Sequence, residues 1–327
     1  EEVVVGIADG SAVPPLHPAE EAKIFHLPNT KSSVGMRDAD KIERANAQLD
    51  GFAEILRQHG VTVQRPRSEP NVGFQTPHFE SSTQNGATCP RDIITVIGNE
   101  IIEAPTPWRS RNFEFGAYRD LRVQYFREDE NMIWTPAPFP TLRDDLFREN
   151  YADQADICAE QVARREFVTH DWVEPTFDAA DIIRCGKDVF VLHSHTCNVA
   201  GFEWIRRQLS RRGLRAHLMQ TPNVLNPSHY DASIMPLRSD LLLVSPLVVD
   251  DVDIFRENGC HVEVCVEPEI DQVDDPNYHG KSGKWICMNV LPLGPEKVAV
   301  MEHDVAVAKQ LESLDFEVVL VPFKDVV

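Results

Sequence analysis

Several polar side chains stand just ahead of short apolar runs, where strands would begin. Asp92 precedes Ile93, Asp178 precedes Ala179-Ala180-Asp181, and His229 with Asp231 precedes Ala232. A carboxylate can grip a cation, and an imidazole moves protons near neutral pH. His229-Tyr230-Asp231 has period-two spacing, which predicts that both polar side chains face one way on an extended segment. The two alanines after Asp178 leave the backbone room for a close approach, so that one carboxylate could orient a histidine. Each residue also has a plainer role: Asp178 or Asp181 as a turn or N-cap acid, His229 as a hydrogen-bonded loop histidine. Cys89, in Cys89-Pro90-Arg91-Asp92, is a nucleophile by type, but no partner base stands beside it and a structural thiol is the simpler reading.

Other patterns fail on physical grounds. His193-Ser194-His195-Thr196-Cys197 puts three metal-type ligands on one strand face, which rarely builds tetrahedral geometry, so no metal is expected. Gly280-Lys281-Ser282 has Asp275 where a phosphate loop needs its first glycine, and a strand follows where a helix should. No dinucleotide fingerprint, nucleophile elbow or zinc-protease motif occurs, and no cofactor is expected.

The elements that must carry these residues recur along the chain. Helical periodicity leads into a short apolar strand five times: Asp38–Gly60 into Val61–Val63, Phe113–Arg127 into Met132–Trp134, Val199–Gly213 into Leu214–Leu218, Asp251–Gly259 into His261–Val266, and Asp304–Asp315 into Phe316–Val321. Gly60, Gly213 and Gly259 stand where helices end. Hairpins lie between these pairs: Ile93–Ile97 with Glu100–Glu103, Ile182–Ile183 with Val189–Leu192, Ile234–Leu237 with Leu241–Val244, and Trp285–Leu293 with Val298–Met301. The unit is therefore ββαβ. Its repetition predicts a propeller closed around an axis, with the hairpin entrances converging at one end; an open mixed α/β sheet is the alternative. The pattern also predicts a further strand after Val321 to pair with Val3–Ile7. On that reading the last module is incomplete, and residues 1–327 form a single domain truncated at both ends.

With 327 residues, 42% of them apolar, the chain fits one large α/β domain or two small ones. Its net charge of −20 argues against nucleic acid and anionic membranes as partners; the acidity serves solubility and would suit a cationic substrate. No run approaches the roughly 20 apolar residues of a membrane span. Seven cysteines without a C-x-x-C read as reduced thiols in a reducing compartment, cytoplasmic or mitochondrial.

Several long motifs in register carry a resemblance. Cys89-Pro-Arg-Asp92, Ile97-Gly-Asn-Glu-Ile-Ile-Glu-Ala-Pro105 and Trp108-Arg-Ser-Arg111 come first. Glu174-Pro-Thr-Phe-Asp-Ala-Ala-Asp181 and Gly201-Phe-Glu-Trp-Ile-Arg-Arg207 follow, then Asn226-Pro-Ser-His-Tyr-Asp231 and Ser282-Gly-Lys-Trp-Ile-Cys-Met-Asn-Val-Leu291. Across nearly its whole length the chain resembles the glycine amidinotransferase family, whose members serve creatine, streptomycin and toxin biosynthesis. The resemblance implies a five-fold pseudosymmetric α/β propeller of ββαβ modules, the pentein fold. It implies ping-pong transfer of an amidino group from arginine to an amine such as glycine, and a homodimer. It implies Asp178 and His229 as catalytic residues, and Asp92, Asp231 and Ser282 as substrate-binding residues. The nucleophile it implies is a cysteine in a Gly-rich segment ending in His-Cys, past Val327; none of the seven cysteines matches it.

Two departures from the family pattern stand out. Ser228 precedes His229 where creatine-pathway members carry Met, and Val248 stands where relatives place an arginine that grips the donor's carboxylate. Transfer, hydrolysis of a guanidino group on the same fold, and non-catalytic guanidino binding are all compatible with the residues.

Overall fold

The computed structural model describes residues 1–24, 34–149, 151, 160–220, 229–257, 259–268 and 284–326. The first unit holds strand β1 (Glu2–Val4), helix α1 (Ala39–Gln58) and strand β2 (Thr62–Gln64), with β1 and β2 parallel. The second holds β3 (Ile94–Ile97), β4 (Glu100–Glu103), α2 (Arg119–Glu128) and β5 (Ile133–Pro136). The third holds β6 (Ile182–Cys185), β7 (Asp188–Leu192), α3 (Val199–Ser210) and β8 (Arg215–Met219). The fourth holds β9 (Ile234–Arg238), β10 (Leu241–Val244), α4 (Asp253–Glu257) and β11 (His261–Val264). The fifth holds β12 (Leu291–Gly294), β13 (Lys297–Met301), α5 (Val305–Ser313) and β14 (Glu317–Val321). In each of the last four units an antiparallel hairpin is extended by a third, parallel strand across the helix, as in β6-β7-β8.

Sequence chemistry sets these boundaries. In α1, Ala45, Leu49, Ala53 and Leu56 recur at helical spacing and are buried. Leu49 is only 2% exposed, so truncating it to alanine should cost about 2–5 kcal/mol. Gly60, at φ +79°, releases the chain from α1 into β2. The β3–β4 turn is Gly98-Asn99 as the sequence predicts, but the β6–β7 turn is only Gly186-Lys187, with pairing running outward to Cys185↔Asp188. Trp285–Leu293 is not one strand: Lys284–Met288 forms a 3₁₀ turn and β12 starts at Leu291. The Phe113–Arg127 stretch likewise divides into a 3₁₀ turn, Glu114–Tyr118, and α2.

Five of the core clusters among the described residues lie between two units; a sixth, around Phe79, Leu142, Leu146 and Val168, lies outside them. Val4 and Ile7 pack with Ala87, Ile94, Tyr118 and Leu121, joining the first to the second. Ile97 and Ile102 pack with Val189, Val191 and Ile205, joining second to third. Phe190 and Leu192 meet Leu242 and Phe255; Leu241 and Leu243 meet Val298 and Leu311. Leu291, Leu293, Phe323 and Val326 return to the cluster of Val5, Leu49 and Leu56 in the first unit. A buried ion pair reinforces one junction: Glu100 on β4 is bound by Arg212, just after α3, at 2.7 Å. No helix among the described residues is long and apolar enough to cross a membrane.

Candidate active site

The turns ahead of the hairpins meet in order. Pro90–Ile93 packs on Ala179–Asp181, which packs on Tyr230–Ala232, which packs on Lys284–Met288. The sequence-predicted Asp92, Asp178, His229 and Asp231 therefore lie on neighbouring turns.

Asp178 is placed by the start of α3. The Asn198 side chain accepts from Gly201 N–H at 2.8 Å and Thr176 N–H at 3.1 Å, and donates to the carbonyls of His170 and Glu174 at 3.0 and 2.7 Å. A Cβ on Gly201 would stand 2.1 Å from the Thr176 carbonyl oxygen, so only glycine lets the helix approach this strand of chain. Phe177 stacks on Trp204, and Asp178 is fully buried. Arg91 ties the following turn by donating to the carbonyls of Ala179 and, at 2.6 Å, Ile182.

His229 caps the Tyr230–Ala232 turn with φ +60° and ψ 113°. That backbone conformation costs a non-glycine residue about 1–3 kcal/mol. The His229-Tyr230-Asp231 stretch is thus not extended, and its two polar residues are not related by strand alternation; a 3₁₀ turn rotates the chain instead. His229 Nε2 lies 2.8 Å from Asp178 Oδ2, and Trp108 Nε1–H donates to the same oxygen at 2.8 Å. Indole is a donor only, so Oδ2 accepts from it; with Asp178 as a carboxylate, Nε2 is assigned as the N–H that donates to the same oxygen. Nδ1 then faces Asp92 Oδ1 at 3.8 Å.

Asp92 is itself held. Its Oδ2 accepts from Arg111 Nη1 at 2.6 Å, while Arg111 Nε and Nη2 form a fork with Glu114 at 2.6 and 2.9 Å. Burial disfavours the Arg111 charge, but Glu114 and Asp92 outweigh it and hold its pKa well above the ordinary guanidinium value. Burial pushes Glu114 up to about 7 against the pull of Arg111. Asp181, fully buried, is pushed up to about 6 by burial, opposed by the His229 charge and aided by Asp178. With Asp92, Glu114 and Asp178 acting on one arginine, carboxylates outnumber the buried cation.

Asp231 is buried on the turn that His229 caps. Ser282, Ser228 and Cys158 lie outside the described residues. Cys89 is exposed at the head of the Asp92 turn, and its carbonyl accepts from Arg111 at 3.4 Å. The His193–Cys197 run packs as core: His193 bonds Asp171 at 3.0 Å, Phe167 stands edge-on to His193 and His195, and Cys197 is buried. No metal-type ligand cluster exists among the described residues. Val248 is buried among Phe190, Tyr230 and Phe255, so this position supplies no fork for a carboxylate. Arg111, Glu114, Trp108 and Asp181 carry the site without having been singled out as functional; only the Trp108–Arg111 and Glu174–Asp181 motifs pointed near them.

The described units are similar to those of solved amidinotransferase structures. The chain is similar to SxtG, an amidinotransferase from Microseira wollei in the saxitoxin biosynthetic pathway, with 32% identity and a TM-score of 0.86, covering 99% of this chain and 89% of that one. It is 37% identical over 332 residues to the mitochondrial glycine amidinotransferase of Danio rerio, covering 99% of this chain and 76% of the relative. It is 34% identical to the L-arginine:L-lysine amidinotransferase of Pseudomonas savastanoi pv. phaseolicola, covering 99% and 87%. No protein-family model matches. The chain belongs to the glycine amidinotransferase family, a family of enzymes.

Proposed function

We propose that the protein moves an amidino group from arginine, or another guanidino donor, to a primary amine through an amidino-cysteine intermediate, on five modules closed as a propeller. The closed circuit of inter-unit cores supports the propeller, and the relatives' names support arginine as donor. The observation that carries the reading is His229, bound to Asp178 through Nε2 and facing Asp92 through Nδ1.

In this proposal Asp92 and Asp231, with Ser282, hold the guanidinium N–H groups. The thiolate is that of the cysteine which the family resemblance implies. It attacks the central carbon, forming a C–S bond. His229 delivers a proton from Nδ1 to the departing nitrogen, the C–N bond breaks, and the amine leaves. Asp178 keeps the Nε2 proton and stabilises the imidazolium beforehand. The acceptor amine enters, loses a proton to Nδ1, and bonds the amidino carbon as the C–S bond breaks. Val248 offers no fork for the donor's α-carboxylate, so this position adds nothing to the grip on the guanidino head.

Product analysis with guanidino-labelled arginine tests this. Ornithine formed only when a primary amine is present supports transfer. Citrulline or urea formed without an amine would replace it with hydrolysis.

A further inference from the structure

We infer that Asp181 is a positioning residue whose carboxylate fixes the main chains of His229 and Asp178 together, and so sets the angle at which imidazole and acid meet. The inference rests on the transfer reading above for the reaction in which it is measured.

Four donors converge on this one buried carboxylate. Asp181 Oδ2 accepts from Asp178 N–H at 3.0 Å and from the Thr196 hydroxyl at 2.7 Å. Asp181 Oδ1 accepts from His229 N–H at 3.1 Å and from the Ser194 hydroxyl at 3.1 Å. Two of these donors are the backbones of the proposed catalytic pair, 48 and 3 residues away along the chain. The other two come from the loop between β7 and α3, which is itself ordered: Thr196 N–H and Cys197 N–H both donate to Ser194 Oγ, at 3.1 and 3.0 Å. An acceptor-only group is what four converging donors require.

The backbone of His229 gives this bond its consequence. At φ +60°, a histidine holds its conformation only where its surroundings over-determine it. The Asp181 bond to the His229 amide is such a constraint, and it acts two bonds from the atom that bears the imidazole. A carboxylate serving only to tie its own 3₁₀ turn would need the Asp178 N–H alone. It would have no use for a partner on the next unit.

Asp181→Asn in the full-length protein tests the assignment. Asparagine keeps one acceptor oxygen and turns N–H donors toward at least one of the four donors. Amidino transfer is expected to lose about 10²-fold in kcat, since a small misplacement of a reacting group has that effect. KM for the donor should stay within roughly twofold, because ground-state binding is untouched. The pH profile of kcat/KM should shift, and hydrogen exchange at the His229 amide should quicken by about tenfold or more. Normal kcat and an unmoved pH profile, with only a lower melting temperature, would overturn the inference. If Asp181→Asn fails to fold, Thr196→Val removes one donor and keeps the shape. A fall in kcat of about twofold to fivefold at constant KM is then expected, and unchanged kcat would overturn the inference. If the wild-type protein transfers no amidino group, the transfer reading fails, but exchange at His229 still decides the positioning role.

Discussion

His229 Nε2, on a partly exposed imidazole, meets Oδ2 of the fully buried Asp178 at 2.8 Å, and this one bond decides which imidazole nitrogen can exchange protons with a substrate. The Trp108 indole donates to the same oxygen, so the acid stays an acceptor and Nδ1 is left for chemistry.

Replacing Asp178 by asparagine should therefore uncouple the tautomer while keeping the shape. An asparagine that turned its amide nitrogen toward Nε2 would favour the wrong tautomer. The expected loss is about 10²–10⁴-fold in kcat with little change in KM, read by steady-state kinetics.

Trp108→Phe keeps the ring and removes only the N–H donor to Asp178. The carboxylate then loses a charge-assisted bond that helps to fix its orientation. The expected result is a fall in kcat of no more than about tenfold at nearly constant KM. Steady-state kinetics of the variant beside the wild type check it.

Arg111→Met removes the cation that Asp92 and Glu114 share. Arg111 and Glu114 are both nearly inaccessible, so the variant leaves buried carboxylate without its partner. The expected destabilisation is about 3–5 kcal/mol, measured by urea unfolding. Arg111→Lys should recover only part of it, because an ammonium cannot reproduce the fork.

Glu20 supplies a pH test independent of the site. Burial raises its pKa from 4.5 to about 7, and the bond it accepts from Ser110 at 2.9 Å only partly offsets this. Between those values the folded state binds more protons than the unfolded state, so stability falls as pH rises and is level again above the folded pKa. Glu20→Gln lacks that slope. Its stability relative to wild type should rise by about 3 kcal/mol between pH 4 and pH 8. Urea midpoints at several pH values check it, and parallel curves would count against a buried acid.

Much of the architecture is legible in the sequence. The i, i+3, i+4 spacing in α1 and the glycines at 60, 213 and 259 mark where helices end and strands begin, because both signals are local. The repeat predicts that the hairpin entrances converge if the units ring an axis, and the turns that carry Asp92, Asp178 and His229 are neighbours. The 3₁₀ turns at Glu114–Tyr118, Tyr230–Ala232 and Lys284–Met288 left no comparable trace: they are too short to show a period. The Trp108–Asp178 bond joins residues 70 positions apart, and nothing in the spacing of either announces it. The positive φ of His229 was equally hidden, since histidine does not advertise that conformation as glycine does.

In the proposed transfer His229 passes protons through Nδ1, and the kinetics of His229→Ala with arginine and a primary amine bear on that step alone. A loss in turnover of about 10²-fold or more is expected, with arginine still bound. Turnover equal to that of the unaltered protein would contradict it.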